Sequence, residues 1–272
     1  MDVKYGLRLI SGVRMTRRLR SATLPIGNLV RAGAATGYFL RPQDLWLFIV
    51  GAQTDARVAR LRKDLGDRAA FETVYRESED PWVSVSPHYH YQRRKYEVVA
   101  SLIPANRRYT HALDLGCGLG TLSRLLAHRV ERALGLDVAQ AAIDRARKTH
   151  VAASNLRFEQ ADILDLPAEM NGRFDLITIV DTVYYLRSVH DHSLEEIASR
   201  VADLLAPNGL CVLSNHFFFP WDKETRLSRR IHDAFIQSKR LRRISEHWRP
   251  FYLTTLLEST SAGGDGFGER CS

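Results

Sequence analysis

Residues 112–120 read A-L-D-L-G-C-G-L-G. A short apolar run carries the acid Asp114, and glycines follow at Gly116, Gly118 and Gly120, with Cys117 inside the turn. Glycine lets a backbone turn sharply and approach a ligand with no Cβ in the way. A helical pattern begins at once: Leu122, Leu125, Leu126 and Val130 are apolar, while Arg124, His128 and Arg129 are polar. Strand, glycine turn and helix present a nucleotide-like ligand at the carboxyl end of a strand, with free helix N–H groups aimed at it. A glycine turn of this kind also occurs with no ligand, so the surrounding acids matter. The run 133–136 ends in Asp137, roughly 20 residues past the glycines, the spacing of a carboxylate that accepts from ribose hydroxyls. The run 156–158 leads to Asp162 and Ile163. Three strand ends thus carry acids on one edge.

Other side chains offer weaker chemistry. His216 follows the strand expected at 209–214, at the edge where substrates sit. It reads as a general base with a pKa near neutral, or as a polar lining residue. His88 and His90 are a possible ligand pair with no evident third ligand, and the three cysteines, Cys117, Cys211 and Cys271, match no zinc spacing, so no metal is expected. An odd cysteine count points to a reducing compartment, and a cytoplasmic location is expected.

These residues need an alternating frame. The pattern predicts strands at 112–115, 133–137, 156–160, 174–180 and 209–214, with helices at 119–129, 139–149 and 193–205. This is an α/β, Rossmann-like, doubly wound and mostly parallel sheet. Residues 241–247 and 251–257, joined through Trp248-Arg249-Pro250, read as an antiparallel C-terminal pair, preceded by a helix at 222–239. Upstream, a helix is expected from Pro42 to about Leu65, its buried side formed by Trp46, Ile49, Val50, Val58 and Leu61 and its end set by Gly66. Two shorter helices follow at 69–77 and 91–102.

The chain has 272 residues, 45% of them hydrophobic, enough for one α/β domain with additions. Residues 1–68 hold 13 of the 39 Lys and Arg and 5 of the 31 Asp and Glu, so the whole excess of +8 lies there. The remainder is neutral and lacks the basic field of a nucleic-acid enzyme; no nucleic-acid partner is expected. The expected organisation is a basic, partly helical extension over 1–68, a domain over 69–258 and a disordered tail over 259–272. Residues 1–41 read as loosely attached. Their arginines could touch an anionic membrane surface weakly, or simply be solvated.

Five stretches together resemble the class I S-adenosylmethionine (SAM) dependent methyltransferases: L-D-L-G-C-G-L-G (113–120), G-L-D-V (135–138), A-D-I-L-D-L-P (161–167), F-D-L-I-T-I-V-D-T-V-Y-Y-L (174–186) and L-L-A-P-N-G-L (204–210). E-S-E-D-P-W (77–82), Y-Q-R-R-K-Y-E (91–97) and V-D-T-V-Y-Y-L (180–186) are similar to the NodS-like branch, which includes an N-methyltransferase acting on a chito-oligosaccharide. Relatives often carry Glu where this chain has Asp181. The resemblance implies SAM as cofactor. Gly116, Cys117, Gly118 and Gly120 would pass under its methionine and sugar, with Asp114 part of the same motif. Asp137 and Val138 would meet the ribose, Asp162 and Ile163 the adenine, and Asp181 the methionine end and the substrate. Asp181 and His216 would then be the catalytic pair. The acceptor implied is a nitrogen or oxygen of a small molecule: a sugar, an amino sugar or a natural-product hydroxyl. An NAD-dependent oxidoreductase is a rival reading, but Thr121 stands where its third glycine belongs. A methyltransferase-like scaffold without cofactor is another, and the acids Asp114, Asp137 and Asp162 argue against it. Lys is absent from 113–123, unlike a phosphate-binding loop.

Overall fold

The computed structural model describes residues 42–186, 194–217, 221–249 and 251–260. The expectations for residues 1–41 and for the tail beyond 260 lie outside the described residues. Three helices come first: α1 (Pro42–Leu65), α2 (Asp67–Glu77) and α3 (His90–Ser101). The alternating core follows as β1 (Tyr109–Leu115), α4 (Thr121–Ala127), β2 (Val130–Asp137), α5 (Gln140–Thr149), β3 (Leu156–Gln160), β4 (Phe174–Val180), α6 (Leu194–Leu204) and β5 (Leu205–His216). Helix α7 (Lys223–Gln237) and strands β6 (Leu241–Arg249) and β7 (Tyr252–Ser259) complete it.

The strands form one seven-stranded sheet in the order β3-β2-β1-β4-β5-β7-β6. β1 to β5 run parallel, and β7 is inserted antiparallel between β5 and β6. Period-two alternation divides the strand side chains between two faces. Leu113, Ile177 and Leu213 pack with Ile197 and Val201 of α6 and Ile231 and Phe235 of α7. Ala112, Leu176 and Val212 face the other way, with Leu122 and Leu126 of α4 and Ile143 of α5. Helices on both faces explain why β4 is apolar along nearly its whole length. Among the described residues no helix is long and apolar enough to cross a membrane.

Helix α1 has the expected bounds but a different inward face. Val58 is fully buried, whereas Trp46 is 62% and Ile49 40% exposed. The inward stripe runs instead through Asp44, Phe48, Gly51 and Asp55, at spacings of four, three and four that keep to one side of a helix. The reason is what α1 covers: a polar cavity and a helix end rather than a sheet. Buried Asp44 accepts the backbone N–H of His90 with Oδ1 and so caps α3 from another element.

Asp114 and Gly120 hold the glycine loop in place without lining the cavity beneath it. Asp114 is buried in β1, and its two oxygens accept the Ser123 hydroxyl of α4 at 2.6 Å and the Thr178 hydroxyl of β4 at 2.7 Å. The expected cofactor contact is therefore corrected: this carboxylate ties strand, loop helix and neighbouring strand together. Gly120 sits at φ 79° before α4, and a Cβ there would stand 2.5 Å from the Phe158 ring. Its role is likewise close packing of helix on sheet.

Two outcomes follow. Gly120→Ala lowers unfolding free energy by about 2 kcal/mol or more in urea titration, since strain and overpacking act together; an unchanged midpoint would refute this. Burial lifts the Asp114 carboxyl from 3.8 to about 6 against the pull of its two hydroxyl partners. The folded state holds that proton more tightly than the unfolded chain, so the contribution of this group falls as pH rises from about 4 to about 6. The drop is on the order of 3 kcal/mol. Asp114→Asn should flatten the stability profile across that window, and a profile parallel to wild type would sink the assignment.

Candidate active site

A cavity of about 480 Å³ opens at the carboxyl ends of the parallel strands, within the size range of small-ligand sites. It reaches across the sheet from Asp162, after β3, through Asp137 of β2 and the glycine loop of β1, to Asp181, after β4, and His216 of β5. The loop is pinned from beneath: Gly116 and Cys117 donate their N–H groups to the Leu136 carbonyl at 2.8 and 2.9 Å. Gly116 and Gly118 have φ of 74° and 52°, and a Cβ on Gly116 would lie 2.3 Å from the Thr182 hydroxyl. Only glycine fits that approach.

The acids on the β2 and β3 side are fixed by backbone. Asp137 accepts from Gly118 N–H and Ala139 N–H, both at 2.9 Å. A carboxylate has about four lone-pair sites, so acceptor capacity remains beyond these backbone donors. Asp162 caps the short turn Ile163–Asp165 through the Leu164 N–H, which leaves the buried Ile163 and the neighbouring backbone against the cavity. Val138 lines the same wall, and so does Cys117, whose thiol burial pushes well up and keeps protonated.

On the β4 and β5 side the chemistry is a buried charge cluster. Asp181 has φ 55°, uncommon for a residue with a Cβ and a mark of a site that its surroundings over-determine. Its Oδ2 forms an ion pair with Lys95 of α3, whose side chain has no exposed surface, and stands 3.7 Å from His216 Nε2. Burial alone would raise the Asp181 carboxyl; the charges of His216 and Lys95 outweigh it and hold the group below its ordinary value. Burial pushes His216 down to about 4 despite Asp181. With a value near 4 the imidazole is neutral at pH 7, and Lys95, itself pushed down by burial against the pull of Asp181, is the group paired with that carboxylate. The near-neutral base expected at His216 is corrected on this point. Its Nδ1 lies 3.2 Å from the Tyr184 hydroxyl.

Sequence reasoning missed Lys95 and Asp55. Asp55 has no motif; Lys95 lies in Y-Q-R-R-K-Y-E (91–97), but that stretch assigns it no role, since charged residues ordinarily read as solvent-facing. Asp55 of α1 lines the cavity, and its Oδ1 accepts the Trp82 indole N–H at 2.7 Å and the Tyr185 hydroxyl. Phe71 and Tyr185 meet edge to face at 5.2 Å, and Trp82 stacks on Phe71 at 6.0 Å. The boundary expected at residue 68 therefore runs through the cavity wall, since α1 supplies Phe48, Gly51, Ala52 and Asp55 to it. The only detectable signal is the stripe 44-48-51-55, which breaks the rule that acids face water. His88 and His90 build no metal site: among the described residues no group of three His, Cys, Asp or Glu could hold an ion.

The residues present fit SAM. Among the described residues buried Asp181 Oδ1 has no hydrogen-bond partner, and an ammonium would satisfy it. Asp137 has free acceptor capacity where ribose hydroxyls would need it. The loop between them accepts no Cβ at Gly116.

Comparison with known proteins agrees. Residues 112–209 match the family model described as a methyltransferase domain. Nodulation protein S of Sinorhizobium fredii is 27% identical over 147 residues, covering 53% of this chain and 65% of that protein. Trans-aconitate 2-methyltransferase of Deinococcus radiodurans is 36% identical over 121 residues, 43% of this chain and 42% of that one. The chain thus spans less than two thirds of these curated relatives. The crystal structure of the N-methyltransferase NodS from Bradyrhizobium japonicum WM9, in complex with S-adenosylhomocysteine, superposes with a TM-score of 0.56 at 20% identity, over 70% of this chain and 97% of that one. That likeness supports the fold. The family match, with the sheet order and the glycine loop, marks residues 112–209 as a methyltransferase domain.

Proposed function

We propose that the protein transfers the methyl group of SAM to a nitrogen or oxygen atom of a small molecule, with a sugar or amino sugar as the first class of acceptor. One observation carries this reading. A single cavity joins a nucleoside-shaped wall at β1 to β3 with an aromatic, acidic chamber at β4 and β5. In this reading Asp162 and Ile163 receive the adenine, Asp137 and Val138 the ribose, and Gly116, Cys117 and Gly118 back the sugar and methionine. Asp181 receives the ammonium of the methionine end. His216, held beside Tyr184, lines the acceptor.

When bound, SAM supplies a methyl group on a cationic sulfur; the acceptor lone pair takes it, leaving S-adenosylhomocysteine, and a proton leaves the acceptor. The chain's own part is to bind, orient and exclude water, and positioning supplies most of the rate in such a displacement. Asp181, held low, and His216, near 4, are poor proton takers at neutral pH. Their task here is orientation: a neutral imidazole and an ionised carboxylate fix the direction of the attacking atom, and the proton passes to water.

The neutral balance of residues 69–272 supports a small acceptor over nucleic acid. A natural-product hydroxyl is the second reading, favoured by the rings at Phe71, Trp82 and Tyr185.

Calorimetry with S-adenosylhomocysteine tests the cofactor side. Asp137→Ala should weaken binding about tenfold or more, because ribose hydroxyls lose a buried acceptor, while the exposed control Asp144→Ala stays at wild-type affinity; equal affinities would remove Asp137 from the site. For the acceptor, methyl-labelled SAM is incubated with the protein and an extract of its host, and the labelled product is identified by mass spectrometry. Label is expected in small molecules, and label mainly in RNA, DNA or protein would overturn the proposal.

A further inference from the structure

The acceptor end of the cavity has a charge and shape that the methyltransferase core does not explain. Asp55 lies in α1, outside the matched residues 112–209. Two donors, Trp82 Nε1–H and the Tyr185 hydroxyl, meet its carboxylate at Oδ1. The residue is half-buried and faces the cavity, with the indole and the phenol holding its carboxylate there. Around it the rings of Phe71, Trp82 and Tyr185 stand with centroids 5.2 to 6.3 Å apart. The carboxylate and three rings therefore form one cluster that the indole and phenol hydrogen bonds hold in place.

The surrounding charge is one-sided. Six of the cavity-lining residues are Asp or Glu, and Arg68 is the only Lys or Arg among its described lining residues. Arg68 donates to Gln160 at the end of β3, on the nucleoside side. Lys95 is committed to Asp181. Near Asp55 the charged neighbours are instead Glu224 and Asp181, and together with burial they lift its carboxyl to about 6, still ionised at neutral pH. A half-buried carboxylate with further negative charge beside it, at Glu224 and Asp181, favours a cationic guest. Aromatic faces favour the same guest, because a cation over a ring is attracted to its negative face. A neutral hydroxyl could donate to the carboxylate and pack on the rings but would bring no charge to balance the acidic lining.

We propose that Asp55 is the acceptor-specificity residue of this protein: its carboxylate pairs with the ammonium group of a small amine held among Phe71, Trp82 and Tyr185. The acceptor is then a protonated amine that binds as a cation, gives its proton to water, and attacks the methyl group with the lone pair this frees. Asp55 connects through Tyr185 to the turn after β4, on the side of the cavity away from the adenine and ribose wall at Asp162 and Asp137. The α1 helix, carrying Phe48, Gly51 and Asp55, roofs this end, which suits a compact amine better than a long chain. The inference rests on the methyltransferase reading above.

The test is binding, not turnover. Wild-type protein is first titrated with S-adenosylhomocysteine, whose sulfur is uncharged. The saturated protein is then titrated with phenethylamine and, separately, with 2-phenylethanol, near-isosteres that differ in charge. The amine should bind about tenfold tighter than the alcohol. Asp55→Asn should abolish that preference, Asp55→Glu should restore most of it, and both variants should keep wild-type affinity for S-adenosylhomocysteine, which also reports that they are folded. Equal binding of the two probes to wild type, no binding of the amine, or a preference that survives Asp55→Asn would each overturn the proposal. A variant that fails to fold leaves the wild-type comparison to decide. If Asp55→Asn instead lost affinity for SAM and S-adenosylhomocysteine alike, Asp55 would belong to the cofactor. Failure of wild type to bind S-adenosylhomocysteine at all would strike the methyltransferase reading itself and this inference with it.

Discussion

A lysine with no exposed side chain must be answered by a negative charge, and in this protein the answer is Asp181. Lys95 belongs to α3, which precedes the sheet; Asp181 stands just beyond β4; His216 ends β5. The pair therefore fixes the depth of the cavity floor from three directions. Replacing such a pair by apolar residues often stabilises a protein, whereas removing one partner is strongly destabilising. Its retention in a cavity wall thus argues for a use other than stability. The positive φ at Asp181 adds to the cost. The return is an ionised carboxylate whose Oδ1 is left unpaired among the described residues, and a histidine kept neutral beside it.

The same constraint reaches α1. Asp44 caps α3 by accepting from His90, five residues before Lys95, so α1 sets the start of the helix that delivers the buried lysine. Farther along α1, Asp55 ties Trp82 and Tyr185 into one cluster. Two acids on one helical stripe hold the roof of the cavity to its floor. An extension that could pass for an attachment outside the domain is, over residues 42–65, a structural part of the site.

This explains how much the sequence could tell. The glycine loop, the acids Asp137 and Asp162 and the alternation of strand and helix were legible, because each function sits on residues close in the chain and each glycine is demanded by a local φ or a close approach. The sheet order follows from the same alternation, and even the antiparallel pair was visible in its turn. Asp114 and Gly120 were placed in the right motif and given the wrong task. Type and spacing cannot distinguish a carboxylate facing a ligand from one facing two hydroxyls, and that difference lies in Ser123 and Thr178. The inward face of α1 was misread because apolar residues were taken to mark burial. Trp46 and Ile49 point outward, and Asp44 and Asp55 inward, because α1 covers polar groups.

The two halves of the cavity differ in the same way. On the β1 to β3 side, backbone N–H groups and short acids define the wall, all within residues 114–164. On the other side the wall is gathered from α1, α2, the loop at Trp82, the turn at Tyr184 and Tyr185, His216 and Glu224. A ligand common to many chemistries can be held by a compact segment of backbone turns and short acids. A ligand particular to one protein is met by side chains brought together only by the fold, and function is set by such sites rather than by the architecture carrying them. The cofactor was therefore readable from one stretch of chain, while the acceptor depends on contacts such as Asp55 with Tyr185, 130 residues apart.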